Sequence, residues 1–189
     1  VLLGKMLLLL LLALGASLAG AFPHDAPRTG CGLSKYRFLL PSELKAMQKM
    51  KEQFTMLLSD RKCNTRVFHR KWSTAELSVP DRMLLVEAEL ELMTAVLGHP
   101  AAPDLAETRL RPLAFLAQAR EDLRGCVLAL QSAGEAPAHQ PSGRLRHWLH
   151  KLQTAKQTET AGCLEASAML HLFQVLNDLK CAALREHCT

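Results

Sequence analysis

The chain has 189 residues, of which 49% are hydrophobic, and its formal net charge at pH 7 is +5. This is the length of one domain that can bury a core of its own. The mild positive charge could favour anionic surfaces or glycosaminoglycans. The sequence lacks the dense basic stripe that gives strong nucleic-acid binding, so no nucleic-acid partner is expected.

The first residues have the pattern of a secretory signal peptide. Lys5 precedes an unbroken apolar run over residues 7–14, and an Ala-x-Ala cleavage site follows at residues 19–21. The run is well short of the roughly 20 apolar residues that a membrane span requires. We therefore predict a signal peptide over residues 1–21, a single secreted domain over residues 22–189, and no membrane insertion.

The cysteines indicate a disulfide-linked protein. An even number of cysteines on the oxidising secretory route predicts disulfides rather than metal ligands or free thiols. Spacing alone leaves the pairing open, and only Cys181 and Cys188 are close enough to suggest a local loop. The six residues are Cys31, Cys63, Cys126, Cys163, Cys181 and Cys188.

Helical periodicity dominates the chain, and strand signals are nearly absent. The first helix is predicted over residues 41–59, with Pro41 at its first position. Residues 60–77 predict a long connection with one short helical turn. The side of the first helix that is expected to face the core consists of Leu44, Met47, Met50, Phe54, Leu57 and Leu58.

The second helix is expected to be among the most buried. The run Ser78-Val-Pro-Asp81 has a capping-box pattern, residues 85–97 are nearly apolar on two adjoining stripes, and Gly98 begins a stop signal. Its acidic side chains fit a helix surface better than acid–base catalysis; they are Glu87, Glu89 and Glu91.

Two further helices follow in the second half. The third is predicted over about residues 104–130, with Pro112 either kinking it or marking the start of its main part. Residues 132–141, rich in Ala, Gly and Pro, predict a loop. A short helix over residues 144–153 then has one apolar stripe, which consists of Leu145, Trp148, Leu149 and Leu152.

His147 and His150 project from the opposite side of that short helix and could in principle reach one metal ion. No Cys, Asp or Glu shares their face, and the neighbouring Arg146 and Lys151 disfavour a bound cation. No hydrolase, phosphate-loop or calcium-binding motif occurs in the chain. We therefore predict no metal site, no cofactor and no enzymatic activity.

The last helix is predicted over residues 162–185. Its core face covers an arc of about 120° that begins at Leu164. Phe173 and Leu170 fall outside this arc. Either a neighbouring loop covers them, or they form a partner-binding patch of the kind that carries interface hot spots; periodicity alone does not decide.

Secretion, disulfides, four long helices, one short helix and a long connection are together typical of an all-α helical cytokine, an up-up-down-down bundle that acts by presenting helix faces to receptors. A secreted membrane-active basic protein is the alternative from another class. A secreted hydrolase is weaker still, because neither a nucleophile nor a metal set is evident.

Four segments make the resemblance specific, and in this order they closely resemble the interferon-lambda (type III interferon) family over about residues 31–189. They are "VEAELEL" (residues 86–92), "RLRHWLHKLQ" (residues 144–153), "CLEAS" (residues 163–167) and the final "DLKCAALREHCT". The resemblance implies an interleukin-10-like bundle that acts as a monomer. It also implies three disulfides, which are Cys31 with Cys126, Cys63 with Cys163, and Cys181 with Cys188.

The resemblance further implies two receptors and a site. A specific interferon-lambda receptor chain would bind the first helix, the following connection and the last helix, after which the interleukin-10 receptor beta chain is recruited to activate JAK-STAT signalling and an antiviral programme. Phe173 matches a family contact residue, and Leu170 stands where relatives carry a second, aromatic one. Pro41 and Leu44 match first-helix positions. Arg61 replaces a tryptophan of the relatives, so that part of the interface is expected to be weaker or rebuilt.

Overall fold

The computed structural model describes residues 31–57, 63, 66–99, 106–132 and 138–188. The predicted signal peptide and Arg61 lie outside these ranges. The described ranges contain no strand, and their short 3-10 helices are Ser34–Arg37, Thr74–Glu76 and Arg185–His187. The α-helices are α1 (Pro41–Leu57), α2 (Val79–Gly98), α3 (Ala106–Gln131), α4 (Gly143–Thr158) and α5 (Ala161–Leu184).

Contacts near the helix ends give the direction of α2. Arg82, in the first turn of α2, donates to the backbone carbonyl of Arg185, just after α5 ends. Arg109, in the first turn of α3, donates to the carbonyl of Leu97 at the end of α2 over 3.3 Å. Helix α2 is therefore antiparallel to both α3 and α5.

Helix α1 runs in the same direction as α2. Thr108 in the first turn of α3 is hydrogen-bonded to Gln53 near the end of α1. Arg37, just before α1, donates to the carbonyl of Ala183 at the end of α5 over 3.4 Å. The order is therefore up, up, down, down for α1, α2, α3 and α5, which confirms the predicted cytokine-type bundle.

The described side chains of the predicted core faces pack together in one apolar cluster, whereas the predicted core residue Leu58 and the side chain of Leu57 lie outside the described part of the chain. Met47, Met50 and Phe54 of α1 are buried, and Leu44 is partly buried against them. Pro112 lies inside α3 and is buried, so it does not mark the start of that helix. Within the described ranges, no helix is long and apolar enough to cross a membrane.

Helix α4 is longer than predicted. The expected end was residue 153, whereas the helix continues to Thr158, and the N–H of Glu159 closes it on the carbonyl of Ala155. The apolar stripe continues after Leu152 only through Ala155, which is buried but small. A single alanine between polar neighbours gives little periodic signal, so the last turn was missed.

The capping-box prediction at the start of α2 is half right. The Ser78 hydroxyl accepts from the N–H of Asp81, as predicted. The Asp81 carboxylate is hydrogen-bonded instead to His139 over 2.7 Å and to the N–H of Ser142 over 3.2 Å. Burial opposes ionisation of Asp81, but these hydrogen bonds prevail and lower its pKa. They join the start of α2 to the start of α4.

The six cysteines form three disulfides, in the pairing that the resemblance implies. Cys31–Cys126 ties the segment before α1 to α3, and Cys63–Cys163 ties the α1–α2 connection to α5. The first two close loops with sequence separations of 95 and 100. In the chain-entropy account, loops of that size stabilise the fold by about 4 to 5 kcal/mol each. Cys181–Cys188 closes the end of α5.

Candidate functional site

The four predicted site residues lie on two neighbouring helices, α1 and α5. Leu170 is 52% exposed on α5, and Pro41 is exposed at the start of α1. Leu44 and Phe173 are partly buried and pack against the core. The four residues therefore differ in accessibility, and Leu170 is the most exposed large apolar side chain on α5.

Lys51 of α1 contacts Phe173 of α5. Its ammonium nitrogen lies 5.4 Å from the centre of the Phe173 ring, which is within the range of a cation–π contact. Sequence periodicity gave no reason to select this residue. Pro41 precedes it by ten residues, or about 15 Å of helix, so Pro41 and Phe173 are at different levels of the α1–α5 surface.

The α1–α2 connection rests on α5 beside Leu170. Phe68 is fully buried, its ring centre is 6.0 Å from that of His171, and its backbone carbonyl accepts a hydrogen bond of 3.0 Å from Gln174. Burial and nearby cations lower the pKa of His171, so its imidazole is neutral at physiological pH. The described part of the connection thus covers His171 and Gln174 and leaves Leu170 accessible.

A buried ionic cluster fixes the connection in this position. Arg70 donates to Glu89 of α2 over 2.9 Å and to Asp178 of α5 over 2.6 Å. Thr74 accepts from Arg70 over 3.1 Å and donates to Asp178 over 2.6 Å. Arg70 also lies over the Trp72 ring at 4.9 Å. One connection therefore reaches both α2 and α5 through a single guanidinium.

The position of Glu89 overturns the expectation that its side chain lies on the helix surface. Its exposed fraction is zero. Burial and the neighbouring carboxylate of Asp178 raise its pKa well above the ordinary glutamate value. A strongly shifted pair of carboxylates can mark an active site, but the Arg70, Glu89 and Asp178 side chains are almost completely enclosed. No substrate can reach them, so the cluster is structural.

The described residues offer no metal-binding arrangement. No group of three or more His, Cys, Asp or Glu side chains within the described ranges could hold a metal ion. His147 and His150 are exposed on α4, opposite its buried stripe, which is the position that the sequence predicted.

A second apolar surface lies on the other side of α1, where it meets α3. Phe38 is 82% exposed and Leu40 is 62% exposed, in the segment that leads into α1. They border a groove of about 190 Å³ whose floor includes Tyr36 and Phe115. The rings of Tyr36 and Phe115 meet edge to face at 5.9 Å, and Tyr36 donates to Asp122 over 2.5 Å. The groove therefore has a fixed floor and an exposed apolar rim.

Comparison with known proteins identifies close relatives. A family model described as Interleukin-28A matches residues 28–185. The chain is 65% identical to interferon lambda-3 of Gallus gallus over 178 residues, which cover 93% of each chain. It is 37% identical to interferon lambda-1 of Homo sapiens over 181 residues, covering 93% of this chain and 88% of the relative. It is 34% identical to interferon lambda-2 of Mus musculus over 194 residues, covering 97% and 99%.

Proposed function

Because this chain belongs to the interferon lambda family, whose members are type III interferon cytokines and not enzymes, we propose that it is a secreted antiviral cytokine that joins two receptor chains. The first would be the interferon-lambda receptor chain and the second the interleukin-10 receptor beta chain. Their pairing around one monomer of the cytokine would activate JAK-STAT signalling and interferon-stimulated genes.

One observation supports a location on α5 for the first receptor site: Leu170 is an exposed apolar side chain on a helix most of whose residues are buried. Phe173 lies one turn further along α5, and Lys51 holds its ring against α1. An apolar side chain on a rigid element costs little entropy to immobilise on binding, which favours a hot spot. We assign Leu170, Phe173, Pro41 and Leu44 to the surface for the specific receptor chain.

The test measures binding of the purified interferon-lambda receptor ectodomain to Leu170→Ser and Phe173→Ala. We expect each to weaken binding at least about ten-fold, or about 1.4 kcal/mol, because each removes apolar contact area. Leu128→Ser is the matched control, since Leu128 is also a helix residue and is 55% exposed, but lies on α3. Equal binding by the Leu170 and Leu128 variants would refute the assignment.

The groove bordered by Phe38 and Leu40 supports a location for the second receptor chain. Its exposed apolar rim lies on the α3 side of α1, whereas Leu170 and Phe173 are on α5. Leu40 is the immediate neighbour of Pro41, so the two receptor surfaces would adjoin at the start of α1 and the two bound chains would be held close together. We therefore place the interleukin-10 receptor beta chain at Phe38, Leu40 and Phe115.

A variant with Phe38→Ser and Leu40→Ser separates the two sites. We expect binding of the first receptor chain to weaken by no more than about three-fold, because Leu40 only adjoins Pro41 at the edge of that surface. Recruitment of the second chain should weaken at least about ten-fold, read out as STAT phosphorylation in cells that carry both chains. Loss of first-receptor binding would place both receptors on one surface. Vesicle permeabilisation by protein that fails to signal would favour the membrane-active alternative.

A further inference from the structure

The outer side of α4 is a basic surface that the proposed receptor sites do not use. The helix Gly143–Thr158 contains six basic side chains and no acidic one. Two of the six are neutralised by carboxylates, since Arg144 pairs with Glu76 over 2.9 Å and Lys156 with Glu91 over 3.7 Å. The other four have no carboxylate partner among the described residues; they are Arg146, His147, His150 and Lys151.

A groove runs between this side of α4 and the α1–α2 connection. Its volume is about 560 Å³, and its lining includes Arg66 and Val67 on the connection and His147, His150 and Lys151 on α4. Thr154 and Thr158 add hydroxyl groups, and Glu159 lies at the C-terminal end of the helix as the one acidic residue of the lining. The part of the groove nearest the start of α4 is therefore basic on its helical wall.

Lys151 holds the two walls of the groove together. Its ammonium group donates to the backbone carbonyls of Arg66 over 3.0 Å and His69 over 3.1 Å, and it lies 4.5 Å from the centre of the Trp148 ring. These partners are neutral overall, so the positive charge of Lys151 is not cancelled by a carboxylate. The shape of the groove is therefore fixed by contacts within the fold. Its wall contains a cation, Lys151, that has no carboxylate partner among the described residues.

From this arrangement we propose that the α4 groove binds the sulfate groups of an extracellular glycosaminoglycan. Arginine and lysine form charge-assisted hydrogen bonds with sulfate oxygens, histidine ring N–H groups add further donors, and threonine hydroxyls suit sugar hydroxyls. Arg146 is exposed on α4 and adjoins the groove residue His147 without lining the groove itself. The positions from Arg146 to Lys151 span about 7.5 Å along the helix, which suits a linear, densely sulfated chain that lies in the groove and extends past its edge.

The same surface is poorly suited to nucleic acid or to a membrane. Binding of single strands depends on accessible aromatic side chains that stack on bases. Near this surface Trp148 is buried in the core, and the partly buried Trp72 already has the guanidinium groups of Arg70 and Arg144 over its ring. Membrane-surface helices insert large apolar side chains, and the exposed side of α4 carries none. The outer side of α4 is basic but offers no aromatic side chain for base stacking and no large apolar side chain for membrane insertion. These properties favour a sulfated polysaccharide as its ligand.

The glycan site and the first receptor site are neighbours on different helices. The groove is lined by α4 and the α1–α2 connection, whereas Leu170 and Phe173 are on α5, and Lys151 is close enough to His171 of α5 to help lower the pKa of its imidazole. Neither Leu170 nor Phe173 lines the groove, so a glycan that stays within it would hold the cytokine at a cell surface without covering them. This inference does not depend on which receptors the cytokine uses.

The test measures binding of a size-defined heparin oligosaccharide to the full chain at several salt concentrations. The variant carries Arg146→Gln and Lys151→Gln, and the matched control carries Lys45→Gln and Lys49→Gln, two exposed lysines of α1, so both lose the same charge. We expect at least about ten-fold weaker binding for the α4 variant and a salt-dependence slope smaller by about two, since each lost cation lowers the slope by about one. The control should stay within about two-fold of wild type.

A second variant tests the same site without changing Lys151, in case Lys151→Gln disturbs the α1–α2 connection. Arg146→Gln with His147→Gln and His150→Gln leaves the Lys151 contacts intact and is expected to weaken heparin binding in the same direction. Equal losses in the α4 and α1 variants would show general charge attraction only and overturn the proposal. An RNA oligonucleotide or an anionic phospholipid vesicle that binds as tightly as heparin of the same charge would also overturn it.

Discussion

Two sets of side chains on α5 depart from the ordinary distribution in opposite directions. Polar side chains are buried on two sides of the helix, Glu165 on one side and Ser167 and Asp178 on the other. Between them, Leu170 points outward and Phe173 is only partly covered. Helix α5 therefore has polar side chains in the protein interior and apolar side chains at the protein surface.

The buried polar side chains and the exposed apolar side chains of α5 differ in whether another segment of the chain supplies a partner side chain for them. Each buried carboxylate meets an arginine from a distant segment, Asp178 with Arg70 and Glu165 with Arg109. These pairs fix the connection and α3 against α5, because an unpaired charge in the interior would be costly. Phe173 has a contact with Lys51, whereas Leu170 stays 52% exposed within the described part of the chain, which is the condition that a binding surface for another protein would meet.

The largest effect is expected from breaking the buried cluster. Arg70→Met leaves Glu89 and Asp178 in the interior without a cation, and we expect the free energy of unfolding to fall by about 3 to 5 kcal/mol in urea denaturation. Arg146→Met is the control, since that arginine is exposed on α4 and should change stability by less than about 0.5 kcal/mol. A loss below about 1 kcal/mol for Arg70→Met would show that the cluster does not stabilise the fold.

The two buried glutamates should respond to substitution in opposite ways. Glu89 shares one arginine with a second carboxylate, whereas Arg109 has Glu165 as its ion-pair partner. Glu165→Gln removes the only negative charge of that pair and is expected to cost about 1.5 to 3 kcal/mol at pH 7. Glu89→Gln keeps an acceptor for Arg70 and removes the excess negative charge, so equal or higher stability is expected at pH 7.

Glu89 should also give stability a pH dependence of definite sign. Since its pKa is raised in the folded chain, the unfolded chain releases this proton first, near the ordinary value of 4.5. The contribution of Glu89 to the free energy of unfolding therefore falls as pH rises from there through the folded pKa, by about 1.4 kcal/mol for each unit of pKa shift. Urea titrations across this range should show the slope in wild type and a smaller slope in Glu89→Gln, because burial also raises the pKa of Asp178, which still titrates in the variant. An identical slope in both proteins would contradict the assignment.

The smallest effects on folding are expected on the outward face. Phe173→Ala removes a partly buried ring and should cost about 1 to 2 kcal/mol of stability, which is less than the 3 to 5 kcal/mol or so of a fully buried phenylalanine. Leu170→Ala should cost less than about 0.5 kcal/mol. Thermal unfolding of the two variants measures this order. A larger loss for Leu170→Ala would show that the residue belongs to the core.

Much of the bundle could be predicted from periodicity. The start of α1 at Pro41, the cap at Ser78 and the apolar core faces of the helices were all predictable, because each depends on neighbouring residues in one segment. The same reasoning put Phe173 and Leu170 outside the core arc of α5. It placed that arc too narrowly, since Ser167 and Asp178 lie about 40° to 60° outside it and are buried as well.

The sequence by itself determined which segments are helical and which helix faces are apolar. Burial of one helix face requires apolar residues every three or four positions, and this spacing can be read within a single segment of the chain. Only the tertiary structure decided that Glu89 is buried, that Arg70 joins α2 to α5 and that Lys51 covers Phe173. Burial of a charge depends on a partner from a distant segment, and Arg70 and Asp178 are separated by 108 residues. No local sequence pattern predicts such a pair, because the two groups stabilise each other only after folding has brought them together.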